Sequence, residues 1–200
     1  MLSELATTVP WVRRDSTPRL EAFYSELPDS YTYGSGGFAR TYEPLPMQSN
    51  AVVTVLNNII TWHLATNPPA KRFELCFLNR YLNHRDHLGW HADDSPEIDA
   101  NRPIAVLTLG AEREIWVKRQ FCHICKSTET HRTDAANFCS AHPATWTPHI
   151  EKILLEHGSL FVMPAGFQQD HYHRIPKSDR ECGECISLTY RASRSVLLPA

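Results

Sequence analysis

The sequence predicts a mainly β (α+β) fold: a double-stranded β-helix, or jelly roll, with two N-terminal helices packed outside one sheet. Short β-branched and aromatic runs, bounded by turn residues, fill the carboxy-terminal two thirds of the chain. No helical pattern interrupts them, which favours two antiparallel sheets. The 200 residues suit one domain with a core of ordinary size.

Two segments near the amino terminus predict the helices. Thr17-Pro18 matches a helix N-cap followed by proline at the first helical position, so we expect a short helix over 19–27. Between the helices, the aromatic and glycine-rich segment 29–37 predicts a strand that enters a loop. The second helix begins after Asn50 and ends before Asn67-Pro68-Pro69. Its apolar positions recur at helical spacing: Val52, Val55, Leu56, Ile59 and Ile60.

The periodicity changes after these prolines, from helical spacing to short continuous or alternating apolar runs. Each run has the length and the flanking turn residues of a strand. The predicted strands span 73–81, 104–109, 115–118, 153–155, 160–163 and 186–190.

Composition limits the class of protein. A net charge of −2 with 21% charged and 42% hydrophobic residues is ordinary for a globular protein, so any nucleic-acid binding would depend on local basic patches. No apolar run is long enough to span a bilayer, and the first residues lack the basic and apolar parts of a signal peptide. We therefore expect no membrane association and an intracellular location, in the cytoplasm or the nucleus.

His91-Ala92-Asp93 is the pattern with the most chemical content. On an extended segment, residues two apart project to the same side, so His91 and Asp93 can meet one metal ion. Two imidazoles and a carboxylate are the ligands of a facial-triad iron(II) site, which leaves further coordination positions open. The residues alone leave two candidates for the third ligand, His171 and His173.

The segments around this motif resemble a known family. They run from Phe73 to Tyr81, from Asp86 to Asp94, from Pro103 to Gly110, from His157 to Met163 and from Ile186 to Arg191. Their order resembles the AlkB family of iron(II)- and 2-oxoglutarate-dependent dioxygenases, most closely its duplex-DNA-repair branch. The resemblance selects His173 as the third iron ligand. It also implies one domain over residues 1–200, with an N-terminal extension and nucleotide-recognition region at 1–72 and a catalytic jelly roll at 73–191, which carries a Cys/His-rich insert at 120–149.

The resemblance also implies which residues bind 2-oxoglutarate. Asn79 and Tyr81 carry over as hydrogen-bonding residues, and Ser187 and Arg191 carry over on the last strand. The family has a second arginine six residues before Arg191, where this chain has Cys185. An arginine–carboxylate pair is strong and geometrically specific. Either another cation, such as Arg180 or Arg40, takes its place, or co-substrate binding is weakened or changed.

On the substrate side, the resemblance makes Asp94 a candidate for contacting a base or for holding a substrate-facing arginine. Tyr31 and Tyr33 fall where family members sandwich a flipped base between side chains. The alternatives are a solvated turn acid at Asp94 and core tyrosines at the other two positions.

A second metal site is predicted in the insert, where the chain departs from the family. Cys122, Cys125, Cys139 and His142 have the spacing of a structural zinc site. A rival set joins Cys122 and Cys125 to Cys182 and Cys185. The remaining alternative is free thiols, since six cysteines in an intracellular chain are not expected to form a disulfide framework.

The activity implied by the resemblance is oxidative demethylation of N-alkylated nucleobases, of the 1-methyladenine and 3-methylcytosine type, in DNA or RNA. It requires Fe(II), 2-oxoglutarate and O2. We expect a nucleic-acid partner, DNA rather than RNA, and a monomer. Two alternatives stay open: a nucleobase hydroxylase that modifies without releasing a group, and a non-catalytic nucleic-acid-binding module that kept the fold.

Overall fold

Two antiparallel sheets form the body of the chain. The structure is a computed structural model, and it describes residues 1–15, 17–33, 39–65, 71–120 and 149–194. In chain order the elements are α1 (Leu2–Thr8), β1 (Val12–Arg13), β2 (Leu20–Ser25), β3 (Tyr31–Tyr33), β4 (Arg40–Tyr42), β5 (Leu45–Pro46), a 3-10 turn (Met47–Ser49), α2 (Ala51–His63), β6 (Leu75–Tyr81), β7 (Leu88–His91), β8 (Ile104–Gly110), β9 (Arg113–Arg119), β10 (Glu151–Leu155), β11 (Leu160–Met163), α3 (Phe167–Asp170), β12 (His171–Ile175) and β13 (Cys185–Arg191).

The larger sheet, which we call the major sheet, has the strand order β1-β2-β6-β13-β8-β11, with β5 added parallel to β2. The smaller one, the minor sheet, has the order β10-β9-β12-β7, and β3 pairs with β4 separately. The order of strands in both sheets departs from their order along the chain. This arrangement confirms the predicted mainly β jelly roll.

Strand β13 shows how the major sheet separates its two faces. Its residues are all buried, but alternate side chains project to opposite sides. Ile186, Leu188 and Tyr190 belong to the hydrophobic cluster that includes the helices. On the other face, Cys185, Ser187, Thr189 and Arg191 line a cavity between the two sheets. A mostly polar row inside a jelly roll marks this face as the place for a polar ligand.

Two N-terminal helices pack on the outer face of the major sheet, of which α2 was predicted and α1 was not. Asn50 caps α2, because its Oδ1 accepts hydrogen bonds from the backbone N–H groups of Val52 and Val53 at 3.1 and 3.2 Å. The Tyr190 hydroxyl of β13 donates to the carbonyl of Val53 at 2.9 Å and ties α2 to the centre of the sheet. Leu5 of α1 belongs to the same cluster.

The helix predicted over 19–27 is wrong. This segment contains β2, which pairs antiparallel with β6 from Leu20↔Arg80 to Ser25↔Leu75. Five of its six residues are buried, so cross-strand pairing overrides the local cap signal. The Thr17 hydroxyl instead exchanges hydrogen bonds with the backbone of Arg14 in a turn.

One further detail of the predicted helices differs. In α2, Val55 and Ile59 are more than half exposed, whereas Asn57 and Thr61 are buried, so the buried stripe is rotated from the purely apolar one. The boundary proposed at residue 72 falls within a shared sheet, because β2 from the N-terminal region pairs with β6. Among the described helices, none has the length and apolar character required to cross a bilayer.

Candidate metal centre and adjoining cavity

Three side chains converge at the edge of the minor sheet. His91 ends β7 and lies directly across from His173 of β12, and their ring centroids are 4.1 Å apart. Asp93 follows two residues after His91. One potential ligand atom from each residue lies within 4.8 Å of the others, which is the one metal-ligand grouping found among the described residues. The structure therefore brings together the three residues that the sequence predicted.

Hydrogen bonds fix the orientation of Asp93. Its backbone N–H donates to Oε1 of Gln168 at 2.9 Å, and its Oδ1 accepts from Nη2 of Arg191 at 2.7 Å. The Oδ2 atom is buried and has no hydrogen-bond partner in the part of the chain that the structure describes. An unpaired carboxylate oxygen is costly to bury, and a metal cation at this position would satisfy it.

The imidazoles are arranged to act as neutral ligands. Nδ1 of His91 lies 2.9 Å from the carbonyl of Gly89, so with its proton on Nδ1 the ring presents the Nε2 lone pair to the other ligands. His91 Nε2 lies 3.9 Å from Oδ1 of Asp93, and His173 Nε2 lies 3.9 Å from Oδ2. Both oxygens of one carboxylate thus face an imidazole nitrogen.

Burial and neighbouring charges set the protonation states. Burial, with a further contribution from His91, lowers the pKa of His173 to about 3, and burial also lowers the pKa of His91. Burial alone would raise the pKa of Asp93, but Arg191 and the two histidines outweigh it and hold that pKa at about 2. At neutral pH the site therefore has two neutral imidazoles and one carboxylate, a donor set that fits iron(II).

The metal centre opens into the cavity between the sheets, which we call the central cavity. The three candidate ligands line it together with all four residues predicted to bind the co-substrate, namely Asn79, Tyr81, Ser187 and Arg191. Arg191 is engaged with Asp93, so one role of its guanidinium is to hold a metal ligand. Cys185 also lines the cavity, but Arg40 and Arg180 are not among the lining residues.

Asn79 is oriented by a residue that the sequence analysis did not select. Nε of Arg19 donates to Oδ1 of Asn79 at 2.6 Å, and Arg19 forms an ion pair with Glu21. Because Oδ1 is occupied by this bond, the amide NH2 group of Asn79 stays available as a donor to a ligand in the cavity. Both Arg19 and Glu21 are buried, so water does not compete for these contacts.

The predicted substrate residues lie in different environments. Asp94 is exposed and lines a second cavity of about 150 Å³, which also reaches Asp93 and Gln168. Tyr31 is only 2% exposed, packs its ring on Phe23, and lies 3.1 Å through its hydroxyl from Ser95 Oγ. Base stacking by Tyr31 would need a movement of this ring, so that role stays a prediction. The side chain of Tyr33 lies outside the described residues.

The predicted zinc ligands Cys122, Cys125, Cys139 and His142 also lie outside the described residues. Of the rival set, Cys182 is half-buried and lies 3.7 Å from Nη1 of Arg113, and Cys185 is buried against the central cavity. The zinc site stays a prediction.

Three residues around the site escaped the sequence analysis: Gln168, Arg19 and Arg113. Gln168 and Arg19 each contact a candidate site residue through one hydrogen bond. These partners lie far apart in the chain, so no short sequence pattern predicts the contact. Arg113 did leave a signal, because it occupies an inward position in the alternating strand β9, where apolar Ile115 and Val117 follow it.

Comparisons with known proteins agree with this geometry. Residues 10–191 match the family model described as the 2OG-Fe(II) oxygenase superfamily. Similar proteins include human "Alpha-ketoglutarate-dependent dioxygenase alkB homolog 3", with 31% identity over 96% of this chain and 60% of the relative. Another is "DNA oxidative demethylase ALKBH2" of Arabidopsis thaliana, with 31% identity over 62% of this chain and 38% of the relative. The human protein of the same name has 26% identity over 80% of this chain and 54% of the relative.

The chain thus spans about 60% of the length of the alkB homolog 3 proteins that it matches. A solved structure titled "The structure of OsALKBH1" aligns with a TM-score of 0.52 at 12% identity, over 96% of this chain and 87% of that one, which supports the fold. These relatives confirm the resemblance to AlkB proteins, whose superfamily uses iron(II), 2-oxoglutarate and O2. With residues 10–191 matched to the family model and the three candidate metal ligands brought together, this chain belongs to the 2OG-Fe(II) oxygenase superfamily.

Proposed function

We propose that this chain is an Fe(II)/2-oxoglutarate-dependent dioxygenase that oxidatively demethylates N-alkylated nucleobases, of the 1-methyladenine and 3-methylcytosine type, in nucleic acid. The observation that carries the proposal is the convergence of His91, Asp93 and His173 beside a polar cavity, with one buried carboxylate oxygen left unpaired. The names of two relatives, an alpha-ketoglutarate-dependent dioxygenase and a DNA oxidative demethylase, support the choice of co-substrate and substrate.

Each residue near the metal centre has a part in the proposed reaction. His91, Asp93 and His173 hold the iron, and Arg191 and Gln168 keep the Asp93 carboxylate in place. When bound, iron(II) supplies the oxygen activation that couples decarboxylation of 2-oxoglutarate to oxidation of a methyl group.

The co-substrate is held by the polar face of the major sheet. Asn79 donates through its amide, and Tyr81 and Ser187 offer hydroxyl groups from neighbouring strands. The apolar side chains of the minor sheet, Ile115 and Ile175, close the opposite wall and exclude water. Exclusion of water strengthens each polar contact to the co-substrate.

The methylated base would approach through the second cavity, where Asp94 is exposed beside the iron-binding Asp93. A carboxylate at this position can accept a hydrogen bond from an exocyclic amine or pair with a cationic methylated base. We propose that the base enters extruded from the stack, since the metal centre lies inside the fold.

The proposal is tested by incubating the protein with iron(II), 2-oxoglutarate, oxygen and a duplex that carries one 1-methyladenine, followed by mass spectrometry of the oligonucleotide. Loss of one methyl group, with formation of succinate, is the expected result. The isosteric variant Asp93→Asn provides the inactive control. An unchanged oligonucleotide, with the metal and 2-oxoglutarate bound, would contradict the repair assignment.

The same assay separates the alternative functions. A nucleobase hydroxylase would add one oxygen to the oligonucleotide without loss of the methyl group. A nucleic-acid-binding module would bind the duplex without consuming 2-oxoglutarate. We further propose DNA rather than RNA as substrate, a monomeric state and an intracellular location, and a matched RNA strand in the assay tests the first of these.

A further inference from the structure

Arg113 is a buried cation of the central cavity that has no carboxylate partner among the described residues. It is 4% exposed and lines the cavity from strand β9. Its guanidinium donates to the backbone carbonyls of Asn83, Asp86 and Pro176 at 2.9, 2.7 and 2.7 Å. None of the ion pairs found in the described part of the chain includes it. A buried charge is costly without a counter-charge, so this end of the cavity favours an anion.

Two hydroxyl groups line the same cavity as Arg113 and can donate hydrogen bonds to an anion there. Oη of Tyr81 and Oγ1 of Thr108 are buried, line the cavity and make no hydrogen bond of good geometry to another described group. Ser187 stands near the Tyr81 hydroxyl, and the Cζ atom of Arg113 lies 5.4 Å from the centroid of the Tyr81 ring. Two hydroxyl groups beside a guanidinium that forms no ion pair within the described residues make a site for a carboxylate.

Both sheets place this site away from the metal centre. In the minor sheet, Val117 of β9 pairs with the candidate ligand His173, and Arg113 lies four residues earlier on the same strand. In the major sheet, Arg191 contacts Asp93 at one end of β13, whereas Cys185 pairs with Tyr81 at the other end. Four strand residues span about 13 Å, so the cavity has a metal-binding end and a distal end that contains Arg113.

Cys185 occupies the distal end where the family resemblance implies an arginine. Burial raises the pKa of the Cys185 thiol to about 12, so the thiol is neutral and contributes no charge there. Arg113 approaches the same end from the opposite sheet and contacts the neighbouring Cys182 sulfur at 3.7 Å. The charge that is missing from β13 is therefore present on β9.

We propose that Arg113, assisted by Tyr81 and Thr108, binds the distal carboxylate of 2-oxoglutarate in place of the arginine that Cys185 replaces. The proposal rests on the proposed function, in which 2-oxoglutarate is the co-substrate. In this arrangement the keto-acid end lies at the metal centre, and the cation at the distal end selects a dicarboxylic acid. Arg113 is then a specificity-determining residue.

The test compares two acids that differ only at the distal end. Equilibrium dialysis of the Mn(II)-loaded protein without oxygen measures the binding of 2-oxoglutarate and of 2-oxopentanoate, which has the same carbon chain without the distal carboxylate. We expect the wild-type protein to prefer 2-oxoglutarate by about tenfold to a hundredfold, as is usual for a charge-assisted pair. We expect Arg113→Met to remove this preference, because it weakens the binding of 2-oxoglutarate and leaves the binding of 2-oxopentanoate unchanged. The control Arg180→Met, at an exposed arginine outside the cavity, keeps the preference.

Arg113 also connects three backbone segments, so its replacement can prevent folding. A second pair of variants therefore tests the same site without changing Arg113. Thr108→Val and Tyr81→Phe remove one hydroxyl each and keep the side-chain shape, and each is expected to reduce the preference by about threefold to tenfold. If folded Arg113→Met keeps the preference, or Arg180→Met loses it, the inference is overturned. If Arg113→Met does not fold, an unchanged preference in both hydroxyl variants overturns it. If the wild-type protein binds neither acid, the assignment of 2-oxoglutarate as co-substrate fails first.

Discussion

Arg191 Nη2 and Asp93 Oδ1 are 2.7 Å apart, and both side chains are almost completely buried. The pair joins the last strand of the major sheet to the loop that follows β7. It compensates the charge of the carboxylate while the second oxygen, Oδ2, faces His173. One buried carboxylate therefore serves the stability of the fold through one oxygen and the metal centre through the other.

Asp93→Asn is expected to weaken both functions of this carboxylate. The variant keeps the shape but removes the carboxylate charge that pairs with Arg191 inside the fold, so we expect the free energy of unfolding to fall by about 3–5 kcal/mol. The stabilisation that Mn(II) gives to the wild-type protein should also disappear. Asp94→Asn, at the exposed neighbouring position, is the matched control. Urea unfolding with and without Mn(II) measures both effects, and an Asp93→Asn variant that still gains stability from the metal would contradict the assignment.

Gln168→Leu is expected to reduce metal affinity without removing a ligand. The substitution leaves the backbone N–H of Asp93 without its acceptor, and loss of such a supporting bond weakens metal binding by about tenfold to a hundredfold. The control is Gln169→Leu, because the adjacent glutamine is exposed. Calorimetric titration with Mn(II) measures the metal affinity of both variants. Equal affinities would show that Gln168 does not position Asp93.

Gly110→Ala is expected to destabilise the protein by about 2–3 kcal/mol. Gly110 has a φ of +104°, and a Cβ atom placed on it would clash with the carbonyl oxygen of Glu184. Strand β13 would have to move to relieve this contact. Gly89→Ala serves as the control, since nothing lies within 4 Å of its added Cβ. Chemical denaturation gives both values, and similar values would rule out the steric explanation.

Asn57→Ala is expected to cost about 2–3 kcal/mol of the free energy of unfolding. The fully buried Asn57 amide donates to the Phe73 carbonyl at 2.7 Å, and its Oδ1 accepts from the Thr61 hydroxyl at 3.2 Å. Its removal leaves these groups unpaired between α2 and the chain that enters β6. Asn58→Ala changes an exposed asparagine of the same helix and should have little effect. If the two variants unfold at the same denaturant concentration, the buried hydrogen bonds of Asn57 do not make the expected contribution to stability.

Stability is expected to fall as the pH rises above 9, in part because of Cys185. Burial raises the pKa of its thiol from 9.0 to about 12. Between these values the unfolded chain loses this proton while the folded chain keeps it, so each pH unit costs up to about 1.4 kcal/mol. The variant Cys185→Ala should show a decline that is shallower by this amount. Unfolding curves measured from pH 8 to pH 11 provide the test, and identical slopes would exclude a contribution from Cys185.

The sequence predicted the elements whose local signals agree with their tertiary environment. Helix α2 is one example, because the capping residue Asn50 and the apolar spacing both match its packing on the sheet. The convergence of the candidate metal ligands was predictable as well, because His91 and Asp93 have a spacing with chemical meaning and the family resemblance supplied His173. For α2 and for the His91–Asp93 pair, a short stretch of sequence contains the determining interaction, whereas His173 required the resemblance.

The parts that the sequence did not predict depend on long-range contacts. The segment after Thr17 has a helix-start signal but becomes β2 because a partner strand, β6, is available. The role proposed for Arg113 depends on the approach of β9 to β13 across the central cavity. From the sequence alone, Arg180 and Arg40 were the arginines selected for this role. Residues far apart in the chain determine these features, and no local pattern records their proximity.

The position of β13 has a consequence for the order in which the protein can fold. This strand lies between β6 and β8, yet it is the last of the described strands along the chain. During synthesis, the earlier strands must therefore wait with an open gap in the major sheet until β13 leaves the ribosome. Arg191 arrives with it, so Asp93 has no counter-charge before that moment. We therefore expect that a ribosome-bound chain stopped before Cys185 cannot close its major sheet, and that its Asp93 lacks the contact that fixes this carboxylate in the folded protein.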